Sequence, residues 1–303
     1  MTVETRSLHP SELWPGIKAF YGLKYKELMK QYTALFQEMT SDKAYEEIVE
    51  RTGYGLPVQK NESQPITFDV SGEGVKTRHT HVVFALGAGV SREKIDDGQY
   101  KGQAQDKAAM LAFSMRQGAE QFHANVFNYG FDGTTRPIGD GQAWFSTAHP
   151  TPVGSQANRP TVGSAFSEAS IEDEVVEVML MKNARGHRIN AGIKRLIHPP
   201  QLVFQATRVL KSDKQSGTAN NDLNAIKTLG SVPEAFNYRY LTSTNDWFLQ
   251  LDIEAGLVRY QRDAMELSKD NEWQTENAFF KARERYSAGP GDFRGFRGNP
   301  GPS

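Results

Sequence analysis

The apolar positions of this chain first recur at helical spacing. Over residues 11–39, Ile17, Phe20, Leu28, Tyr32, Leu35 and Met39 form one stripe, with Ser11 placed to cap and Pro15 to sit in the first turn. Ser41 is placed to cap a second short helix carrying Ala44, Tyr45, Ile48 and Val49, and "TGYGLPVQKNESQP" then breaks the pattern. From residue 66 the period changes to two. Ile66, Phe68 and Val70 alternate with Thr67, Asp69 and Ser71, which predicts a strand with one wet face. "SGEG" at 71–74 supplies glycines for a reversal, and the return strand puts Lys76, Arg78 and Thr80 on one face and Val75, Thr77, His79, His81 and Val83 on the other. An isolated hairpin of this kind is marginal in water and has exposed edges, so its missing surface is expected from elsewhere.

The strongest helical signal covers residues 101–129, where Ala104, Ala108, Leu111, Met115, Ala119, Phe122, Val126 and Tyr129 step by three or four. Such a helix is roughly 42 Å long at 1.5 Å per residue. From 140 to 250 short elements alternate. Ser170 and Asp173 suggest a capping box before Val175, Val176, Met179 and Leu180 in a helix ending near Gly186. "IKRLIHPPQLVFQATRVLK" reads as a strand, a proline corner and a helix, and 212–230 as a long polar loop with few anchors. Strand texture returns in "YRYLTSTNDWFLQLD", "LVRYQRDAMELSKD" and "NAFFKARERYSAG" before a tail of Gly, Pro, Arg and Phe. In the last of these, Phe280, Ala282, Glu284 and Tyr286 alternate with Phe279, Lys281, Arg283 and Arg285, as in a strand with one charged face.

Composition narrows the function. The 303 residues can bury a core without staples, and their 35 basic and 36 acidic residues leave a net charge of −1. That balance argues against a dedicated nucleic-acid binder, which needs clustered cations on phosphates. The absence of cysteine excludes disulfides and thiolate metal sites. No apolar run approaches the roughly 20 residues of a membrane span, and the N-terminus lacks the apolar core of a secretion signal, so a soluble protein made in a cytoplasm is expected.

Candidate chemistry is sparse. "GAGVSR" at 87–92 follows a strand but lacks the third glycine of a dinucleotide fingerprint. His79 and His81 share a strand face without the further ligands a zinc site needs, which favours a solvated or interface pair. Ser146 and His149 lie near each other in "WFSTAHPTP", but a working pair needs an orienting acid and an oxyanion hole, nothing in the local sequence suggests a strained nucleophile turn, and packing of Trp144 and Phe145 is the simpler reading. Arginines interleaved with aromatics in "FKARERYSAGPGDFRGFRG" have a texture that stacks on single strands, diluted by Glu284 and Asp292. Two alternatives therefore stand beside any structural role: a soluble α/β enzyme with a His/Gly-rich cleft, and an Arg/aromatic nucleic-acid-binding protein.

The order of the segments resembles that of the major capsid proteins of tailed bacteriophages, the Hong Kong 97 fold. "FDVSGEGVKTRHTHVVFALGAGVSREKIDDGQY" is similar to that family's extended loop, running into a spine helix in "GQAQDKAAMLAFSMRQGAEQFHANVFNYGFDG". "DGQAWFSTAHP" resembles the approach to its axial domain, "KRLIHPPQLVFQATRVL" its strand, proline corner and helix, and "TENAFFKARERYSAGPGDFRGFRGNPG" its closing strand and tail.

The resemblance implies an α+β fold with an N-terminal arm and helices (1–52), an extended hairpin loop (53–98), a spine helix (99–138), an axial domain (139–248) and peripheral strands with a C-terminal tail (249–303). It implies a virion protein, made in the host bacterial cytoplasm, that self-assembles into pentamers and hexamers of an icosahedral shell enclosing double-stranded DNA. The hairpin, arm and tail reach neighbouring copies in such proteins. Assembly contacts are then expected from Glu73, Lys76, Arg78, His79, His81 and Arg92 near the hairpin, and from Arg283, Arg285, Arg294 and Arg297 near the tail. No catalytic residue, metal, cofactor or membrane is implied. The partners implied are further copies of the chain, a portal, possible decoration protein and non-specifically held DNA; because the chain opens directly on the arm, the resemblance implies either a separate scaffolding protein, which Met1 favours, or a chain numbered after loss of an N-terminal scaffolding domain. Lys76 is the one lysine of the two expected hairpin strands (66–86), but without a placed partner no covalent cross-link is expected.

Overall fold

A computed structural model describes residues 10–91, 100–215, 222–254, 256–271 and 278–302. The chain divides into two compact units. The first comprises Met1–Tyr45, Thr80–His123 and Arg259–Ser287, the second Glu46–His79, Ala124–Val258 and Ala288–Ser303. The ribbon and the tail thus fall with the central segment.

The first unit opens with helix α1 (Pro10–Glu27). The helix expected to reach residue 39 stops early because the chain finds other partners. The Glu120 carboxylate accepts hydrogen bonds from the Gln31 N–H at 2.7 Å and the Tyr32 N–H at 3.3 Å. Tyr32 stacks on His123 with ring centroids 4.0 Å apart, and Tyr32–Ala34 form a single 3₁₀ turn. Strand β1 (Gln37–Thr40) follows. The expected second helix is strand β2 (Tyr45–Arg51), whose β-branched Ile48 and Val49 suit a ladder. Strand β3 (Glu73–Thr80) pairs with β2, and β4 (Val82–Val90) leads toward helix α2 (Tyr100–Asn128), which matches the expected long helix.

The first unit's sheet has the order β1, β10 (Leu257–Asn271), β11 (Ala278–Pro290), β4. β11 runs antiparallel to β4, from Ala278 opposite Val90 to Tyr286 opposite Val82. Its alternation is as expected. Phe280, Ala282, Glu284 and Tyr286 are buried, while Lys281 and Arg283 are exposed. Tyr21 and Tyr25 of α1 and Leu111, Ala112 and Met115 of α2 complete this core with Leu267 and Val90.

One member of that buried row carries a carboxyl group. Glu284 accepts from the Tyr25 hydroxyl at 3.1 Å. The Arg116 guanidinium lies 3.8 Å from the Tyr25 ring and donates to the Tyr25 carbonyl at 2.8 Å. Burial pushes the Glu284 carboxyl above its ordinary value, outweighing Tyr25, Arg259 and Arg116, which pull it down.

The second unit carries β5 (His149–Thr151) and β6 (Gly154–Gln156), then helix α3 (Glu168–Met179). The capping box of α3 lies three residues before the expected one: Ser167 caps the helix and Ser170 answers it. β7 (Ile193–His198), the proline corner and helix α4 (Val203–Lys211) fall where the sequence placed them. The polar loop at 212–230 is better anchored than expected. Helix α5 (Ala225–Leu229) is capped by Asn224, ended by Gly230 at φ 63°, and tied by a Lys227–Asp213 ion pair. Residues 216–221 of that loop lie outside the described residues.

β8 (Ala235–Asn237), β9 (Trp247–Leu251) and β12 (Phe296–Asn299) join β7 in a sheet of order β12, β9, β7, β8. Phe166, Ile171, Val175, Leu196, Ala206, Val209 and Trp247 form the core beside it. The tail is the main departure from expectation. It does not project; β12 runs antiparallel along β9 and is buried throughout. Its glycines permit this, since a Cβ on Gly298 would stand 2.8 Å from the Phe145 ring.

A carboxyl whose folded pKa is raised stabilises the fold below its unfolded value, and that contribution is lost as pH rises through the folded pKa. Glu284→Gln is therefore expected to melt higher than the parent at pH 8, with the gap closing toward pH 4. Thermal unfolding of both proteins across that range checks this.

Candidate subunit-contact surfaces

The ribbon differs from the expected hairpin in its partner strand. β3 pairs with β2, not with Ile66–Val70, so "SGEG" is the start of the return strand rather than the reversal. The ribbon closes where Thr52 and Gly72 face each other. The Thr52 N–H donates to the Gly72 carbonyl at 3.0 Å, and the Gly72 N–H to the Thr52 hydroxyl at 2.9 Å. Between them the chain makes an excursion without strand structure. It turns at 61–64, where the Gln64 N–H bonds the Asn61 carbonyl at 3.2 Å and Ser63 holds φ 63°.

Six large apolar side chains stand out from this excursion. Phe68 is 91% exposed, and Tyr54, Leu56, Val58, Ile66 and Val70 are each two-thirds exposed or more. Asp69 accepts from the Gly55 N–H at 2.7 Å, and with the Val70 N–H this holds its carboxyl below the ordinary value. Arg185 donates to the Val70 carbonyl at 2.6 Å. The base of the excursion is thus fixed while its apolar side chains are bare. Neither Arg185 nor Thr52 stood out in the sequence, because each acts on a segment distant along the chain.

The expected contact residues divide by environment. Lys76 and Glu73 are exposed and 3.8 Å apart, and Arg78 pairs with Glu47 at 2.7 Å. Arg283 is exposed 3.4 Å from Asp263, and Arg285 is half-buried. Arg92 lies outside the described residues. His79 and His81 are buried in their own chain. The His79 ring fits where Gly289 has no side chain, since a Cβ there would be 2.7 Å away, and His81 sits 3.1 Å from both the Ser41 and Ser287 hydroxyls.

Arg294 and Arg297 are also buried, which corrects their expected place on a projecting tail. Arg294 donates to Glu50 at 2.5 Å, to Gln156 at 3.1 Å and to the Lys182 carbonyl at 3.1 Å. Arg297 donates to Glu174 at 2.5 Å. Burial raises the Glu174 carboxyl and Arg297 opposes the shift. These arginines are the internal clasps of β12.

The Ser146–His149 pair has an acid, Asp140, on the His149 ring, whose other nitrogen faces Asn158 rather than the Ser146 hydroxyl. His149 faces Asp140 at 2.6 Å and Asn158 at 3.1 Å, while the Ser146 hydroxyl accepts from the Ala148 N–H at 3.2 Å. Asn158, unremarked in the sequence, donates to the Trp144 and Phe293 carbonyls and accepts from the Ser146 N–H, joining three loop segments. Gly87 and Gly89 lie in β4, where a Cβ on Gly89 would meet the Phe279 ring at 2.8 Å. Among the described residues no cluster of three or more His, Asp or Glu could hold a metal ion, and no helix is long and apolar enough to cross a membrane.

The sequence profile of the phage capsid protein family matches residues 74–299, from the ribbon to the tail strand. This chain belongs to that family. The capsid protein also shares its fold with solved particles at low identity. The virus-like particle from Pyrococcus furiosus is 6% identical, with a TM-score of 0.54 over 94% of this chain and 98% of that one. The capsid of an empty GTA particle, computed with C5 symmetry, is 10% identical, with a TM-score of 0.57 over 91% and 92%. The Mycobacterium phage Patience chain is 10% identical, with a TM-score of 0.56 over 98% and 89%. No curated protein matches the capsid protein. The fold is that of the Hong Kong 97 capsid proteins, and membership marks a structural protein of the virion capsid.

Removing one partner of a buried ion pair strands the other. Arg297→Ala in this capsid protein is expected to cost about 3–5 kcal/mol through Glu174, whereas Arg283→Ala at an exposed pair costs about 0.5 kcal/mol or less. Urea unfolding of the two variants against the parent measures the difference.

Proposed function

We propose that this chain is the major capsid protein of a tailed bacteriophage, whose copies form the pentamers and hexamers of an icosahedral shell around double-stranded DNA. The observation that carries the reading is the excursion between Thr52 and Gly72, with its fixed base and bare apolar side chains. Burying a large aliphatic or aromatic side chain is worth about 1.5–3 kcal/mol. Six on one segment give a neighbouring copy ample reason to accept it. Exposed patches of this kind mark interaction sites rather than free surface.

In this reading the excursion and ribbon lie across a neighbouring copy, and Glu73, Lys76 and Arg78 on the ribbon's open face set register there. Arg283 and the half-buried Arg285 serve on the peripheral strand, and Arg92, outside the described residues, is a further contact of this reading. The segment 139–248 forms the axial domain, where copies meet around rotation axes, and helix α2 is the spine of the peripheral domain. Repetition of modest contacts gives the shell its stability. A near-neutral chain holds packaged DNA weakly and without sequence preference. Synthesis in the host cytoplasm, a scaffolding protein, a portal and a decoration protein complete the proposed setting.

Replacing residues 56–68 by a short Gly/Ser linker keeps the Thr52–Gly72 closure and removes four of the six exposed apolar side chains, Phe68 among them. The expected protein melts within a few degrees of the parent and fails to form closed particles under the electron microscope. Shells of normal size and yield from that variant sink the assignment.

A further inference from the structure

Two helices of the second unit turn unlike faces to solvent. Helix α3 has no basic residue and carries Glu168, Glu172, Asp173, Glu174 and Glu177. Ile171, Val175 and Val178 are buried beneath it. Its open face is Asp173, Val176, Glu177 and Leu180, at the i, i+3, i+4, i+7 spacing of one side of a helix. Val176 is 52% exposed, and Met179 beside it 61%. Burial raises the Glu168 carboxyl and neighbouring Glu172 adds to the shift, a sign of the negative charge crowded there.

Helix α4 is the converse. It has no acidic residue, buries Ala206 and Val209, and presents Phe204, Arg208 and Lys211 at i, i+4, i+7. Phe204 is 74% exposed. Neither cationic side chain has an ion-pair partner among the described residues. The degree of exposure of Val176 and Phe204 also means that these two faces do not cover each other within one chain.

Each face therefore combines an uncovered apolar anchor with exposed charge mainly of one sign, with Glu177 also lying 3.9 Å from the Arg297 guanidinium, and the two signs are opposite. We propose that the α3 face of one copy docks on the α4 face of the next, with Val176 and Leu180 against Phe204 and with Asp173 and Glu177 against Arg208 and Lys211. The charges also select the symmetry. An isologous contact of α3 on α3 would set like charges opposite each other, whereas α3 on α4 brings unlike charges together and, where the two faces engage different neighbours, is head to tail and closes into rings. The negative end of the α3 dipole lies beside Glu177 and further favours a cationic partner. This inference rests on the shell reading above and names a contact it leaves open.

The test is a reciprocal charge reversal in the full chain, with the fraction in rings and shells measured by sedimentation and electron microscopy. Asp173→Lys with Glu177→Lys, and separately Arg208→Glu with Lys211→Glu, are each expected to lower the assembled fraction about tenfold or more while thermal melts show a folded subunit. Combining all four should restore assembly to within about threefold of the parent. Phe204→Ser, which alters no charge, should weaken assembly in the same direction. Reversals that assemble like the parent, or a folded combination that stays unassembled, overturn the contact. If the parent chain itself forms no particles when co-expressed with its phage genes, the shell reading fails and this contact with it.

Discussion

Strand edges and apolar side chains both need cover, and this chain covers only part of its own. Where cover is internal, the fold is dense. β10 and β11 lie between β1 and β4, and β12 lines the edge of β9. The β2–β3 ribbon is different. It is two strands wide, with Thr77 and His79 buried on one face and Lys76, Arg78 and Thr80 open on the other. It also carries the excursion, whose apolar side chains find no core in this chain. The subunit is stable through its two units and incomplete at its ribbon, which is the physical condition for an assembling protein.

Buried charge holds the complete part together. Arg294 and Arg297 flank the tail strand, reaching Glu50 and Glu174 respectively. Paired in this way, buried charges favour one arrangement of segments far apart in sequence, because any other leaves an ion without a partner. Close backbone approach does the same without charge. The tail's Gly295 lies so near Gly256 that a Cβ on the latter would be 2.9 Å from the Gly295 Cα. The tail is thereby made part of the central sheet, and the arginines that look like a nucleic-acid motif in the sequence are clasps of the fold.

Local spacing in the sequence determined what depends on neighbours along the chain. The long helix α2, the proline corner between β7 and α4, and the two faces of β11 follow from apolar residues at periods of 3.6 and 2, and they stand where the pattern put them. The alternation of exposed Lys76, Arg78 and Thr80 with buried Thr77, His79 and His81 was equally legible, since a strand has two faces whatever its partner. The order of these elements was enough to suggest the capsid family.

Only the tertiary structure decided which segments meet. Tyr45–Arg51 reads as helix by spacing and becomes a strand because β3 offers it a ladder, while Ile66–Val70 alternates like a strand and has none. Glu120 ends α1 from 89 positions away along the chain, and Arg185 fixes the excursion from 115 away. A period in sequence records which side chains share a face. It carries no record of the distant group that will cover that face, and in the proposed shell part of the cover belongs to another copy.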